Sequence, residues 1–247
     1  GGAWTRLDTL KDSPLQGIDR SGQYVMVRTS SALGVVSGTA LDSQGKPLKL
    51  NFHPERNEIP IFVGAIGRRS VEIAAEVADG WIPIFFSVDK FQEAWGEHIE
   101  KGLAAGNRQR SDFQISPSVQ VAIDGDLEAA RNTVRMGLVL YLGGMGSRKT
   151  NFYVDLAHRF GFGEIADDVQ AKFQSGDKEG AFKALPDEMV NAVSLIGSEA
   201  EVAERLERFR ANDIDRLILT PVHPDKAEAR HTLERMAVLA GQESPVA

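Results

Sequence analysis

The feature that most constrains the fold of this chain is a repeated alternation of short apolar runs with amphipathic helical segments. The first run, IPIFVGAI at 59–66, is apolar at successive positions, as in a parallel strand with both faces covered. The segment after it places Val71, Ala74, Ala75 and Ala78 at the spacing i, i+3, i+4 and i+7, which makes one narrow face of a helix. Strands that alternate with helices in this way predict a parallel α/β sheet.

Three further runs continue the pattern, at 81–86, 113–123 and 216–222. Residues 113–123 differ from the others, because apolar odd-numbered positions from Phe113 to Ile123 alternate with mostly polar even-numbered ones. In a closed parallel barrel, whose helices cover the outside, the polar face would point into the lumen. In an open sheet the same pattern would belong to a half-exposed edge strand.

Four strand-and-helix pairs predict either a doubly wound open sheet or a (β/α)8 TIM barrel. An eight-unit barrel needs roughly 250 residues, and this chain uses much of its length on a mostly helical segment at 126–196. We therefore expect the later part of a barrel that lacks its first strands, folded as a single domain over residues 1–247. Segment 18–33 has a loosely helical pattern, and segment 35–52 has strand character.

Composition narrows the functional classes. A net charge of −7 argues against a general binder of nucleic acid or anionic membranes, since either needs a basic surface. The chain has no cysteine, which excludes disulfides and thiolate sites and fits an intracellular protein. No apolar run approaches the roughly 20 residues of a membrane span. We predict a cytoplasmic protein that acts on small molecules; a homodimer is compatible with the sequence, which does not fix the oligomeric state.

The turn GAIGRRS at 64–70 joins the first strand to its helix, the place where parallel α/β folds bind ligands. Gly64 and Gly67 leave the backbone open to a ligand, and the N–H groups of the first helical turn are anion donors. Arg68 and Arg69 oppose the helix macrodipole at a cost of about 0.3–1 kcal/mol each, which a bound anion would reverse. The turn alone favours solvated arginines and a glycine that serves only the chain reversal, because short glycine-containing turns between a strand and a helix are common.

Three blocks of the chain together resemble one family. They are IPIFVGAIGRRSVEIAAEVADGWIPIFF at 59–86, YLGGMGSRKTNFY at 141–153, and LIGSEAEVAERLERF at 195–209 followed by DRLILTPV at 215–222. These blocks are similar to the bacterial luciferase-like oxidoreductase (luciferase-like monooxygenase) superfamily. They are most similar to its branch that uses the deazaflavin coenzyme F420 rather than flavin mononucleotide (FMN). The similarity runs from about Pro14 to Ala240.

The resemblance implies a complete (β/α)8 TIM barrel of the luciferase-like type, with a strand-rich insertion, here at 35–52, and a helical one, here within 126–196. It implies an oxidoreductase that transfers hydride between coenzyme F420 and a small organic substrate, with an FMN-dependent monooxygenase as the alternative. The cofactor's phosphate would rest on the turn at 64–70. The cofactor-binding residues would then be Gly64, Ala65, Ile66, Gly67, Arg68 and Arg69.

Two departures from the family pattern matter. The family often has proline where this chain has Arg68, so the fixed φ of proline is lost while phosphate binding is hardly affected. The first strands of the family's barrel, which commonly carry the acid or base, are not in this sequence. We therefore assign no catalytic residue.

Other residues are candidates for the substrate side of the pocket. Phe85 and Phe86 end the second strand, and each could instead pack in the core. Ser118 and Gln120 lie on the polar face of the third strand, where they could meet a ligand or bond a neighbouring strand. Arg148 and Lys149 follow a glycine-rich loop and could bind an anionic cofactor tail or remain solvated.

Further hypotheses stay open. A barrel isomerase or lyase could hold a substrate phosphate on the same turn, since fold does not fix function; a non-catalytic cofactor-binding module is another. The five histidines show no metal-ligand spacing, so no metal site is predicted. His223, at the end of the last strand, is either an acid or base or a residue that caps the final helix.

Overall fold

The structure is a computed structural model that describes residues 15–21, 24–29, 33–37, 59–146 and 150–241 of the chain, the first three ranges as backbone. Contacts between Cα atoms divide the chain into two compact units, Gly1–Pro60 and Ile61–Ala247, which are described separately below. The single domain expected over 1–247 stays a prediction.

The first unit contains a three-stranded antiparallel sheet in the order β1-β2-β3, formed by Leu15–Ser21, Tyr24–Thr29 and Leu33–Ser37. In the ladder, Ile18 lies opposite Val27 and Val25 opposite Val36. The helical pattern predicted at 18–33 is therefore wrong. The run YVMVRT is rich in residues that favour extended backbone, and partners on both sides of β2 supply its hydrogen bonds. Of the segment expected to be strand-rich at 35–52, residues after Ser37 lie outside the described residues.

The second unit is built on short parallel strands. Phe62–Val63 (β4), Gly80–Trp81 (β5) and Gln114–Ile115 (β6) form one sheet in that order. A second sheet has the order β8-β7-β9, from Ser194–Gly197 (β8), Ser118–Ile123 (β7) and Ile218–Pro221 (β9).

The segment from β6 to β7 connects these two sheets by backbone hydrogen bonds. On one side the N–H groups of Ser116 and Ser118 donate to the carbonyls of Trp81 and Pro83, which extends the pairing with β5. On the other side the Pro117 carbonyl accepts from the N–H of Ile218, at the start of β9. The strands β4, β5, β6/β7 and β9 thus lie side by side and all run parallel. Strand β8, which precedes β9 in the chain, pairs in parallel with the other edge of β7.

Helices follow these strands as the alternation predicted. The first two strands are shorter than the apolar runs at 59–66 and 81–86, since β4 is Phe62–Val63 and β5 is Gly80–Trp81, so Phe85 and Phe86 lie beyond the end of β5 and do not end the strand as predicted. Those that flank the first sheet are α1 (Arg68–Val77) and α2 (Glu97–Ala105), the latter preceded by a π-helical turn at Gln92–Gly96. Helix α1 buries Val71, Ala74 and Ala75. Gly102 of α2 lies so close to α1 that a Cβ there would come 2.1 Å from the Glu72 carbonyl oxygen, which explains the narrow small-residue face.

Between 126 and 196 the chain is mostly helical, as the pattern indicated. The helices are α3 (Leu127–Val139), continued by a π-helical turn at Leu140–Gly144, α4 (Phe152–Arg159), α5 (Gly163–Ser175), α6 (Lys178–Ala184) and α7 (Asp187–Ala192). The segment ends in β8, a strand that the sequence pattern did not predict. After it come α8 (Glu199–Ala211) and α9 (Lys226–Leu239).

The core lies between the strands and these helices. In the segment 113–123 the apolar side chains of Phe113, Ile115, Val119 and Val121 are buried, whereas Gln114, Ser118 and Gln120 on the other face are partly exposed. Across the described ranges, no helix is both long and apolar enough to cross a membrane.

Candidate functional site

The turn from β4 to α1 presents unpaired backbone donors. Helix α1 begins at Arg68 with Gly67 as its N-cap, and its first-turn bond runs from the N–H of Val71 to the Gly67 carbonyl. No side chain in the described part of the chain caps this helix, and its first turn contains no acidic residue. The N–H groups of Arg68, Arg69 and Ser70 therefore have no partner within the helix, and all three residues are exposed.

The two glycines of this turn are not required by the fold itself. Gly67 has φ −71° and ψ 139°, a conformation open to any residue. A Cβ on Gly67 would come no closer than 3.7 Å to Ser70 Oγ, and one on Gly64 no closer than 3.8 Å to the Ile82 carbonyl oxygen. Neither the backbone angles nor the packing require glycine at these two positions. The absence of side chains there leaves the backbone accessible to a ligand.

The opposite side of the same turn is fixed by donors from the core. Trp81 Nε1 donates to the Ala65 carbonyl oxygen at 2.8 Å, and Trp95 Nε1 to that of Ile66 at 2.9 Å. An Nη2 donor of Arg159 reaches the same Ile66 oxygen at 3.0 Å. Both indoles are fully buried. Two consecutive carbonyls of the turn thus point into the protein interior.

Three arginines, Arg68, Arg69 and Arg159, lie around the turn, and only one of them forms an ion pair among the described residues. Arg159 is half-buried, and its guanidinium lies 5.3 Å from the ring centre of Trp95. Burial, and then the charge of Arg68, lower the pKa of Arg159 to about 10. Arg69 pairs with Glu72, but within the described parts of the chain neither Arg68 nor Arg159 has an ion-pair partner within 4.0 Å. The positive charge and the N–H groups at the start of α1 therefore favour the binding of an anion.

Sequence reasoning missed Arg159 because nothing in its neighbourhood marks it. It closes helix α4, which also brings Phe152 beside Gly67 and Tyr153 against Phe85. Only the packing of α4 on the turn reveals its role. No local pattern in the sequence could have indicated this contact.

The four residues predicted for the substrate side separate into different environments. Phe86 is buried and stacks on Trp95 with ring centres 6.0 Å apart, so it belongs to the aromatic core. Phe85 is partly exposed and adopts a left-handed φ of +50°, which is uncommon for a non-glycine residue. Its ring lies 4.9 Å from that of Tyr141. Ser118 and Gln120 are both partly exposed on the polar face of β7.

The remaining candidates are His223, which lies between β9 and α9, and two residues outside the described residues. Arg148 and Lys149 belong to the latter group. The His223 side chain is completely buried; its Nδ1 is 3.1 Å from a Glu228 oxygen, but neither ring nitrogen has a partner in hydrogen-bond geometry. His223 does not cap α9, because Asp225 accepts from the N–H groups of Ala227 and Glu228. Among the residues described, no cluster of three or more His, Asp or Glu side chains could hold a metal.

Comparison with known proteins identifies relatives of this chain. Residues 33–240 match the family model of the luciferase-like monooxygenases. A Mycobacterium tuberculosis protein, provisionally named a coenzyme F420-dependent oxidoreductase, is 36% identical over 187 residues, which are 75% of this chain and 54% of that protein. A 5,10-methylenetetrahydromethanopterin reductase of Archaeoglobus fulgidus is 29% identical over 73% of this chain and 53% of its own length. The chain therefore spans about half the length of these curated relatives.

Two solved structures share the fold. The coenzyme F420-dependent tetrahydromethanopterin reductase of Methanopyrus kandleri has a TM-score of 0.57 at 23% identity, covering 75% of this chain and 50% of its own. An F420-dependent secondary alcohol dehydrogenase in complex with an F420–acetone adduct also has a TM-score of 0.57, at 13% identity, covering 95% of this chain and 58% of its own. The predicted α/β fold of the TIM-barrel, luciferase-like type is thereby confirmed.

Proposed function

The chain belongs to the luciferase-like monooxygenase family, and from this premise we propose that it is part of an oxidoreductase that transfers hydride between coenzyme F420 and a small organic substrate. The observation that carries the proposal is the turn at 64–70, which combines outward backbone donors with Arg68, an arginine that has no ion-pair partner within 4.0 Å among the described residues. When bound, the deazaflavin supplies the hydride chemistry. The protein supplies binding, orientation and electrostatics.

The residues of the turn fit the cofactor's phosphate. The uncovered backbone at Gly64 and Gly67 allows close approach, and the N–H groups at the start of α1 offer hydrogen bonds to phosphate oxygens. Arg68 and Arg159 add positive charge that no carboxylate in contact neutralises. Gly64, Ala65, Ile66, Gly67, Arg68 and Arg69 therefore remain the proposed cofactor-binding residues.

The proposed substrate side consists of Phe85 and the polar face of β7. Phe85, with its left-handed backbone and its contact to Tyr141, would offer an aromatic wall next to the carboxyl end of β5. Ser118 and Gln120 would add hydrogen-bonding groups from the polar face of β7. Phe86 would act only by supporting Phe85 and Trp95 from the core. No described residue is assigned the role of acid or base.

FMN is the alternative cofactor, since it also carries a phosphate that the turn could hold. The relative named for coenzyme F420, with 36% identity over three quarters of the chain, supports the deazaflavin. The same proposal includes a small-molecule substrate and a cytoplasmic location, supported by the acidic net charge and the absence of cysteine. It includes no nucleic-acid or membrane partner.

The direct test is to titrate the purified chain with coenzyme F420 and, separately, with FMN, and to follow the fluorescence of each cofactor. Saturable binding of coenzyme F420 that is much tighter than that of FMN would support the proposal. The reverse order would favour the FMN-dependent monooxygenase. If neither cofactor binds to the folded chain, both redox hypotheses fail for it.

A further inference from the structure

We propose that Trp81, Trp95 and Arg159 are positioning residues that aim the backbone N–H groups of Ile66 and Gly67 at the cofactor's phosphate. The inference rests on the proposed function, because it names the groups that prepare the phosphate site. None of the three side chains needs to touch the cofactor. In this role they act through the carbonyl groups of the turn, and Arg159 adds its positive charge.

The geometry of the peptide bond connects the two sides of the turn. A trans peptide is planar, so its N–H points opposite to its C=O, and no peptide bond among the described residues is cis. The peptide between Ala65 and Ile66 has its oxygen held by Trp81, and the next one has its oxygen held by Trp95 and Arg159. The N–H groups of Ile66 and Gly67 must then point away from the core. No hydrogen bond from either N–H occurs within the described parts of the chain.

The donors are themselves firmly held. Trp81 and Trp95 pack edge to face with ring centres 5.1 Å apart, and both are fully buried. Trp95 sits in the π-helical turn Gln92–Gly96, an irregularity often found where a helix serves a functional site. Arg159 connects the π-helical turn to the turn at 64–70, because it donates to the carbonyl of Ala94 at 3.1 Å as well as to that of Ile66.

The two peptides differ in how many donors hold them. Among the described residues, the Ala65 oxygen has one donor, whereas the Ile66 oxygen has two. Losing either Trp95 Nε1 or Arg159 leaves the Ile66 oxygen with a partner, so each single loss has a limited effect. Losing both releases the Ile66–Gly67 peptide to rotate. This redundancy predicts that the double variant is weaker than the product of the two single effects.

Arg108 offers a matched control at the other end of the same helix. Like Arg159 it lies over an aromatic ring, with its guanidinium 6.0 Å from the centre of Phe113. It donates to the carbonyls of Ala75 and Ala78 at 2.9 Å and 2.6 Å, where α1 ends. Arg108→Met therefore removes a comparable set of bonds from α1 without touching the phosphate turn.

The experiment measures the Kd of coenzyme F420 for the wild type and for Trp95→Phe, Arg159→Met, the double variant and Arg108→Met, with thermal unfolding of each. We expect each single variant to bind about 3- to 10-fold more weakly, and the double variant at least about 100-fold. Arg108→Met should lower the unfolding temperature and leave the Kd unchanged. The inference is overturned if the folded double variant binds like the wild type, or if Arg108→Met weakens binding as much as Arg159→Met.

A second measurement separates this inference from the proposed function and remains decisive if the double variant does not fold. Amide NMR signals of Ile66 and Gly67 are followed while inorganic phosphate is added to the wild type and to Arg159→Met. Shifts at both amides in the wild type, reduced in the variant, support the positioning role even if coenzyme F420 does not bind. No shift at either wild-type amide overturns it.

Discussion

Replacing Gly67 by aspartate should stabilise the protein and, at the same time, weaken cofactor binding. Gly67 is the N-cap of α1, and no side chain caps this helix. Aspartate is among the preferred N-cap residues and gains a few tenths of a kcal/mol over glycine, with about 0.3–1 kcal/mol more from the helix dipole. The surrounding space accommodates its Cβ. For the compact unit that contains the turn, the unfolding temperature should rise by about 1–6 °C.

The binding loss follows from the same carboxylate. It would accept hydrogen bonds from the N–H groups that the phosphate needs, and it would repel the phosphate charge. For two unit charges roughly 5 Å apart, an effective dielectric constant between about 80 and about 20 gives about 1–3 kcal/mol of repulsion. This energy corresponds to a Kd about 5- to 150-fold higher.

The assay compares the wild type, Gly67→Asp and Gly67→Ser by fluorescence titration with coenzyme F420 and by thermal unfolding. Serine is also a good N-cap but is neutral, so it should raise stability by only a few tenths of a kcal/mol, without the helix-dipole contribution, and weaken binding less than aspartate does. Unchanged affinity in the folded Gly67→Asp protein would refute phosphate binding at the start of α1. A lower unfolding temperature for both variants would show that Gly67 is not a free N-cap.

Three further predictions concern other parts of the chain. Ser198→Ala removes the capping box of α8, in which Ser198 and Glu201 exchange hydrogen bonds, so thermal unfolding should show a loss of about 1 kcal/mol without a change in Kd. Phe85→Gly relieves the left-handed φ but loses the ring contacts, and urea unfolding should show a net loss of about 1–2 kcal/mol; a gain would mean that the ring contributes no packing. Burial lowers the pKa of Arg159 to about 10, and a bound anion favours the protonated guanidinium. The affinity for coenzyme F420 should therefore be constant from roughly pH 7 to 9 and fall above about pH 10. Arg159→Met should abolish that fall.

Local patterns in the sequence were sufficient for the elements that rest on local physics. Apolar runs followed by helical spacing predicted the parallel strands and the helices after them, because burial of one face requires a fixed period. The alternation at 113–123 predicted which side chains are buried, and Phe113 and Val119 are buried as it required. Ser198 with Glu201 predicted the start of α8, because a capping box involves only residues three apart.

Tertiary structure decided what depends on partners distant in the chain. The strands at 15–37 replaced a predicted helix because antiparallel neighbours supply the backbone hydrogen bonds, and β8 formed because β7 lies beside it. The turn at 64–70 was visible in the sequence as a glycine-containing segment with two arginines. That two of its carbonyls are held inward by Trp81, Trp95 and Arg159 was not visible, because a hydrogen bond across the fold leaves no spacing in the chain. The sequence by itself located the turn, and only the packing of α4 and the two indoles determined which way its donors face.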